Sequence, residues 1–222
     1  MNRWMELARA STVAGDELTL RRRDETFEIR FNGWELMSNR TSLSEQALAR
    51  LVCADLAQKP RRVLIGGLGM GYTLRAALDA ASPDARVTVS ELVPAVVDWV
   101  RGPLADLARR PLDDRRVRIR IGSVVDIVSV WRNSFDAILL DVDNGPDAVT
   151  HEPNQFLYSQ QGLELTKKAL AHGGIVGVWS ASRSMGFENV LDASGLRWRR
   201  VDVDARGGAD GPEHTIYLAR EA

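Results

Sequence analysis

From residue 61 onward, short apolar runs alternate with longer amphipathic stretches, and this alternation restricts the possible fold more than any other feature of the sequence. Arg62-Val63-Leu64-Ile65, Arg86-Val87-Thr88-Val89-Ser90, Val117-Arg118-Ile119-Arg120-Ile121, the run from Phe135 to Asp141, and Gly174-Ile175-Val176-Gly177-Val178-Trp179 have the length and β-branched content of strands. Between them lie segments of helical pattern at 73–81, 93–107 (with a break at Gly102-Pro103), 124–131 and 155–170, and a further one follows at 187–193. A final strand pair is expected at 196–203 and 214–219. Repeated strand–helix–strand units imply a parallel α/β sheet with helices on both faces.

The segment before residue 41 reads differently. Glu17-Leu18-Thr19-Leu20, Phe27-Glu28-Ile29-Arg30-Phe31 and Trp34-Glu35-Leu36-Met37 alternate apolar and polar side chains, and Asn32-Gly33 between the last two is a hairpin signal. The reading is a small antiparallel β flap over residues 1–40, followed by the main domain over 41–222. A helix opens that domain near Ser42-Leu43-Ser44-Glu45, carries Leu48, Leu51, Val52 and Leu56 as its apolar stripe, and stops by Lys59-Pro60.

Charge and composition exclude several classes of partner. The formal net charge is -1, and the arginines sit beside acids, as in Arg21-Arg22-Arg23-Asp24-Glu25, so neither nucleic acid nor an anionic membrane is expected as a partner. The single cysteine, Cys53, allows no intrachain disulfide, fits a reducing cytoplasm, and reads as a structural thiol. The sequence shows no signal-peptide core and no apolar run long enough to span a bilayer, and it offers no metal-ligand cluster of sensible spacing.

The chemistry-bearing feature is Gly66-Gly67-Leu68-Gly69-Met70-Gly71, a glycine loop between the first strand of the alternating region and its helix. In such sheets ligands bind beyond the carboxyl ends of the strands, and glycine lets backbone approach them closely. Glu91 ends the next strand, about 20 residues further on, where a carboxylate can accept hydrogen bonds from both ribose hydroxyls. Loop and acid together imply a nucleoside ligand. Five strands with a terminal pair, and Asp141 at the end of the fourth, favour a methyltransferase-like arrangement over a dinucleotide site.

From about Asn32 to Ala219 the chain resembles the spermidine synthase family. The resemblance is carried by Asn32-Gly33, by Val63-Leu64-Ile65-Gly66-Gly67 with Leu74-Arg75, by Glu91-Leu92, by the run Asp114 to Gly122, by Phe135 to Asp141, by Phe156-Leu157-Tyr158 and by Leu170 to Ile175. It implies an α/β, Rossmann-like class I methyltransferase sheet, mostly parallel with a terminal antiparallel strand, and a homodimer. It also implies S-adenosylmethionine or its decarboxylated form as the donor, with no metal, and a small-molecule acceptor. Donor-binding residues would be Gly67, Gly69, Met70, Gly71, Glu91, Leu92, Gly122, Ser123 and Asp141. Trp34, Tyr158 and Trp179 are candidates for the acceptor pocket, beside the loop that carries His151 and Asn154.

The sequence departs from the family pattern at functional positions. Met70 stands where the family has an aspartate that pairs with the ammonium of the decarboxylated donor. Asn144 stands where the second acid of an Asp-x-x-Asp motif accepts the amine proton, and an amide is no base. Asp141 keeps the first acid, Asp143 lies one residue early, and these two with Asn144 are the catalytic candidates. No good match to the family's early-helix motif occurs at Glu45-Gln46-Ala47. Three readings follow: methyl transfer to a small, possibly amine, acceptor; aminopropyl transfer from decarboxylated S-adenosylmethionine; and a relative that binds the nucleoside without catalysis. The missing acids favour methyl transfer.

Overall fold

The computed structural model describes residues 3–12, 15–142, 144–147, 152–206 and 213–221. The N-terminal part is a four-stranded antiparallel sheet in the order β1 (Met5–Ser11), β2 (Glu17–Arg23), β3 (Thr26–Phe31) and β4 (Trp34–Ser38). Asn32 and Gly33, at φ of 47° and 83°, make the expected two-residue turn and pair Phe31 with Trp34. β1 is not foreseen by the sequence. Its Met-Glu-Leu-Ala-Arg-Ala-Ser run has little strand preference, and pairing with β2 on one side alone makes it extended.

Helix α1 (Leu43–Asp55) buries Ser44, Leu48, Ala49 and Val52, one face at helical spacing. Cys53 on this helix is half-buried, and burial pushes its thiol up to about 11, as suits a structural residue. The main sheet then begins. In chain order come β5 (Arg62–Gly66), α2 (Tyr72–Ala80), β6 (Arg86–Glu91), α3 (Pro94–Arg101), β7 (Val117–Ile121), α4 (Val124–Val130) and β8 (Phe135–Leu140). After them follow α5 (Glu152–Gln155), α6 (Gln160–Ala169), β9 (Leu170–Ser180), α7 (Met185–Ala193), β10 (Leu196–Asp204) and β11 (Glu213–Glu221).

The seven strands lie in the order β10-β11-β9-β8-β5-β6-β7. The five from β9 to β7 are parallel, and β11 runs antiparallel to both its neighbours. Val63 and Ile65 of β5 and Ala137 and Leu139 of β8 face one core, shared with α1, α2, α3 and the flap. Leu64, Ile138 and Leu140 face the other, with α4, α6 and α7. Burial on both faces explains why these strands read as continuous apolar runs instead of alternating ones.

Two boundaries differ from expectation. The segment expected to be helical from 155 is broken by a 3-10 turn at Phe156–Tyr158, and α6 starts only after Ser159, whose hydroxyl accepts from Gly162 N–H at 3.1 Å. β9 begins at Leu170, ahead of Gly174, because Leu170 pairs with Phe135 across a register shift that ends where Ile175 meets Ala137. The break near Gly102-Pro103 is present: α3 stops at Arg101. Among the described residues no helix is long and apolar enough to cross a membrane.

Candidate functional site

The chain leaves β5 for β6 and β7 on one side of the sheet, then returns to place β8 on the other side of β5. At that reversal the connections diverge and open a cleft at the strand ends. The flap closes it into a cavity of about 510 Å³, walled by Leu18, Ile29, Phe31 and Met37 from above and by the glycine loop, Glu91, Gly122 and Asp141 from below. A volume of this size suits a nucleoside and a small second substrate.

The glycine loop is held from both sides. Gly67 N–H donates to Ser90 O and Asp141 N–H to Gly66 O, each at 2.9 Å. Gly67 has a φ of +87°, and a Cβ there would lie 2.1 Å from the Asp141 carbonyl oxygen, so no other residue fits. Gly67, Gly69 and Met70 line the cavity, with Met70 only 4% exposed. Gly71 does not line it: a Cβ there would press on Pro111 at 3.0 Å, so this glycine serves packing below the loop, a correction to its expected donor contact.

Glu91 is buried at the end of β6 and faces the cavity. Its Oε2 accepts from Leu68 N–H at 2.9 Å and its Oε1 from Val93 N–H at 2.8 Å. Those two bonds fix the carboxylate and leave lone pairs on each oxygen for hydroxyl donors. Burial raises its pKa, and the backbone N–H groups of Val93, Leu68 and Leu92 oppose that shift. Leu92, Gly122 and Ser123 also line the cavity. The Ser123 hydroxyl is engaged in capping α4, accepting from Val125 N–H at 3.1 Å. A close-approach glycine backbone and an oriented buried carboxylate fit the nucleoside part of a sulfonium donor.

The other end of the cavity joins Asp141, expected from the sequence, to groups that the sequence did not single out. Asp141 accepts from the Thr73 hydroxyl at 2.5 Å. Glu45, in the first turn of α1, faces the same space, and the Ser44 hydroxyl lies 3.1 Å from its Oε2. Ser44 also lies 2.8 Å from Nδ1 of His214 on β11. Burial raises the pKa of Glu45, and the charge of Asp141 raises it further; burial likewise raises Asp141, against the Thr73 hydrogen bond. Tyr72 beside them is pushed up to about 12, by burial first and by Glu45 second. Among the described residues lining the cavity there is no lysine or arginine, while Asp16, Glu35, Glu45, Glu91 and Asp141 all contribute to it.

The remaining expectations divide. Asn144 lines the cavity, and its carbonyl accepts from Ala181 N–H at 3.1 Å, which ties the loop after β8 to the end of β9. Trp179 lines it too, edge-on to His214 with ring centroids 4.8 Å apart. Asn154 also reaches it. Trp34 does not: it is 80% exposed beside the hairpin turn. Tyr158 does not line it either; its hydroxyl donates to Val142 O at 3.1 Å and its ring packs on Phe187, so it braces the loop from behind. Asp143 and His151 lie outside the described residues.

Strand order, glycine loop and the acid at the end of β6 define a class I, methyltransferase-like fold with its cavity at the strand ends. The spermine/spermidine synthase domain matches residues 44–191, and the chain belongs to that family. A polyamine aminopropyltransferase of Saccharolobus islandicus is 25% identical over 143 residues, covering 64% of this chain and 46% of that protein. One from Mycobacterium tuberculosis is 31% identical over 139 residues, 60% of this chain and 25% of that protein. The chain thus spans less than half the length of these curated relatives. A spermidine synthase crystallised with the transition-state analogue AdoDATO superposes with a TM-score of 0.81 at 17% identity, over 98% of this chain and 74% of the other. The spermidine synthase of Thermotoga maritima gives 0.78 at 17% identity, over 98% and 73%.

Proposed function

We propose that this chain is an aminopropyltransferase that uses decarboxylated S-adenosylmethionine and a cationic amine acceptor. The observation that carries the proposal is the charge of the cavity: Glu45, Glu91 and Asp141 line it, and among the described residues no lysine or arginine lines it with them. Partly buried carboxylates without a cation are costly, and a ligand that brings ammonium groups offsets that cost. A donor that keeps its own carboxylate adds a further negative charge. Family membership and the aminopropyltransferase relatives support the same reading over methyl transfer.

The donor supplies an electrophilic carbon and a neutral thioether leaving group. The residues of the chain have three tasks. Glu91 and the loop around Gly67 hold the nucleoside. Met37, Phe31 and Trp179 exclude water from the cavity around the reacting centre. The carboxylates of Asp141 and Glu45 attract the ammonium of the acceptor and take the proton it must lose before its nitrogen can attack. Their raised pKa values suit groups that accept a proton near neutral pH. In this chain Glu45 supplies acidity that Asn144 lacks.

Mixing the protein with each donor and a series of diamines, then identifying the nucleoside product by mass spectrometry, tests the proposal. Methylthioadenosine from the decarboxylated donor is the expected product. Met70, buried where an acid is expected, favours methyl transfer as the second reading; S-adenosylhomocysteine from the intact donor would establish it instead. Donor binding by calorimetry without either product would leave a nucleoside-binding relative that does not turn over.

A further inference from the structure

The proton taken from an acceptor amine arrives in a pocket closed by the flap, and it has to leave before the next cycle. Glu45 is linked to one further titratable side chain through a single hydroxyl. Ser44 is fully buried, with its Oγ 3.1 Å from Glu45 Oε2 and 2.8 Å from His214 Nδ1. His214 sits on β11, half-buried and lining the same cavity, with Trp179 against its ring edge-on. The three groups come from opposite ends of the chain, and β11 reaches α1 only because the sheet places it next to β9.

We propose that Ser44 and His214 form a proton path that carries protons from the carboxyl of Glu45 to the imidazole and on to solvent. Its catalytic use rests on the aminopropyl-transfer reading; its existence does not. The steps balance. An acceptor ammonium gives a proton to Glu45, which then donates to Ser44 Oγ while the Ser44 hydrogen bonds Nδ1 of neutral His214. A concerted shift returns Glu45 to carboxylate, restores the Ser44 hydroxyl and leaves imidazolium. The imidazolium releases its Nε2 proton to water, and the ring then turns off Ser44 and exchanges through water from the Nδ1–H back to the Nε2–H tautomer, which resets the path. One hydroxyl between an acid and an imidazole supports this shift because it donates and accepts at once. Among the described residues, Asp141 after β8 and Tyr72 of α2 face Glu45, and Asp16, Glu35 and Glu91 line the same cavity. The neighbours of His214 on β9 and β10, Trp179 and Val203, do not titrate. Burial lowers the pKa of His214, which favours the neutral imidazole at rest, when the Ser44 hydroxyl donates to Glu45; protonation of Glu45 turns that hydroxyl toward Nδ1.

The test has a ligand-free arm and a turnover arm. In the first, the side-chain nitrogen resonances of His214 are titrated by NMR in the wild type, Glu45→Gln, Ser44→Ala and the double variant. A path through Ser44 predicts that Glu45→Gln shifts the His214 titration in the wild-type background and has little effect once Ser44 is alanine. An equal effect in both backgrounds means coupling through space alone and overturns the path. In the turnover arm, Ser44→Ala and His214→Ala are expected to lower kcat by about tenfold or more, with KM within about twofold, and added imidazole to restore part of the rate in His214→Ala. Undiminished kcat in Ser44→Ala would overturn the path as well. If the wild type forms neither nucleoside product, the functional reading fails, and the ligand-free arm still decides the path.

Discussion

Glu45 and Asp141 share one side of the cavity, and no described arginine or lysine lines it beside them. Both carboxyls are raised, by burial first and, for Glu45, by the repulsion of Asp141 next. The folded state therefore binds more protons than the unfolded chain at pH values between the ordinary carboxylate pKa and the raised ones. Stability falls as pH rises through that window and levels off above it. Replacing Glu45 by glutamine removes its share of the penalty. Glu45→Gln is expected to melt higher than the wild type at about pH 8, by about 1 kcal/mol or more, with the difference shrinking toward about pH 5. Melting curves across that range check it; a variant destabilised equally at both ends would mean that Glu45 is a packing residue. Glu91 and Asp141 were legible as site residues because strand ends point at the cleft. Glu45 was not, since an acid in the first turn of a helix reads equally as a favourable partner of the helix dipole. His214 was hidden in a strand whose alternation accounts for it without any function.

The glycine loop shows how one position ties neighbouring elements together. Gly67 leaves β5, leaves room beside its Cα for the carbonyl of Asp141, and donates its N–H to Ser90 O at the end of β6. Gly67→Ala combines a positive φ with a backbone clash at 2.1 Å, so β5 and β8 must separate at the floor of the cavity. The expected loss is about 3 kcal/mol in chemical denaturation, together with loss of nucleoside binding by calorimetry. Normal binding in a stable Gly67→Ala protein would place the donor elsewhere. Elements with strong local signals came through from the sequence: the hairpin at Asn32-Gly33, the strands of the parallel sheet, and the stop of α3 at Gly102. Those decided by partners did not. β1 is extended because β2 pairs with it, and the early part of β9 is a strand because Phe135 lies beside Leu170.

At the scale of the molecule, the flap and the main sheet share a core. Leu18, Leu20, Phe27 and Ile29 belong to the same buried cluster as Leu48, Leu74 and Val96. Leu20 is fully buried there, and Leu20→Ala should cost about 2–5 kcal/mol. The loss should appear in one cooperative transition, with amide exchange accelerated equally in β2 and β5. A flap that opens on its own, while the main sheet keeps its protection, would contradict that coupling. The sequence by itself determined the α/β class, the strand that enters the glycine loop and the acid that follows. These rest on local periodicity and on spacing along one strand–loop–helix unit, which each segment carries within itself. Only the tertiary structure decided which carboxylates meet in the cavity, that Trp34 and Tyr158 stand outside it, and that His214 reaches Ser44. Those are relations between segments far apart in the chain, set by strand order and by which side of the sheet each crossover takes.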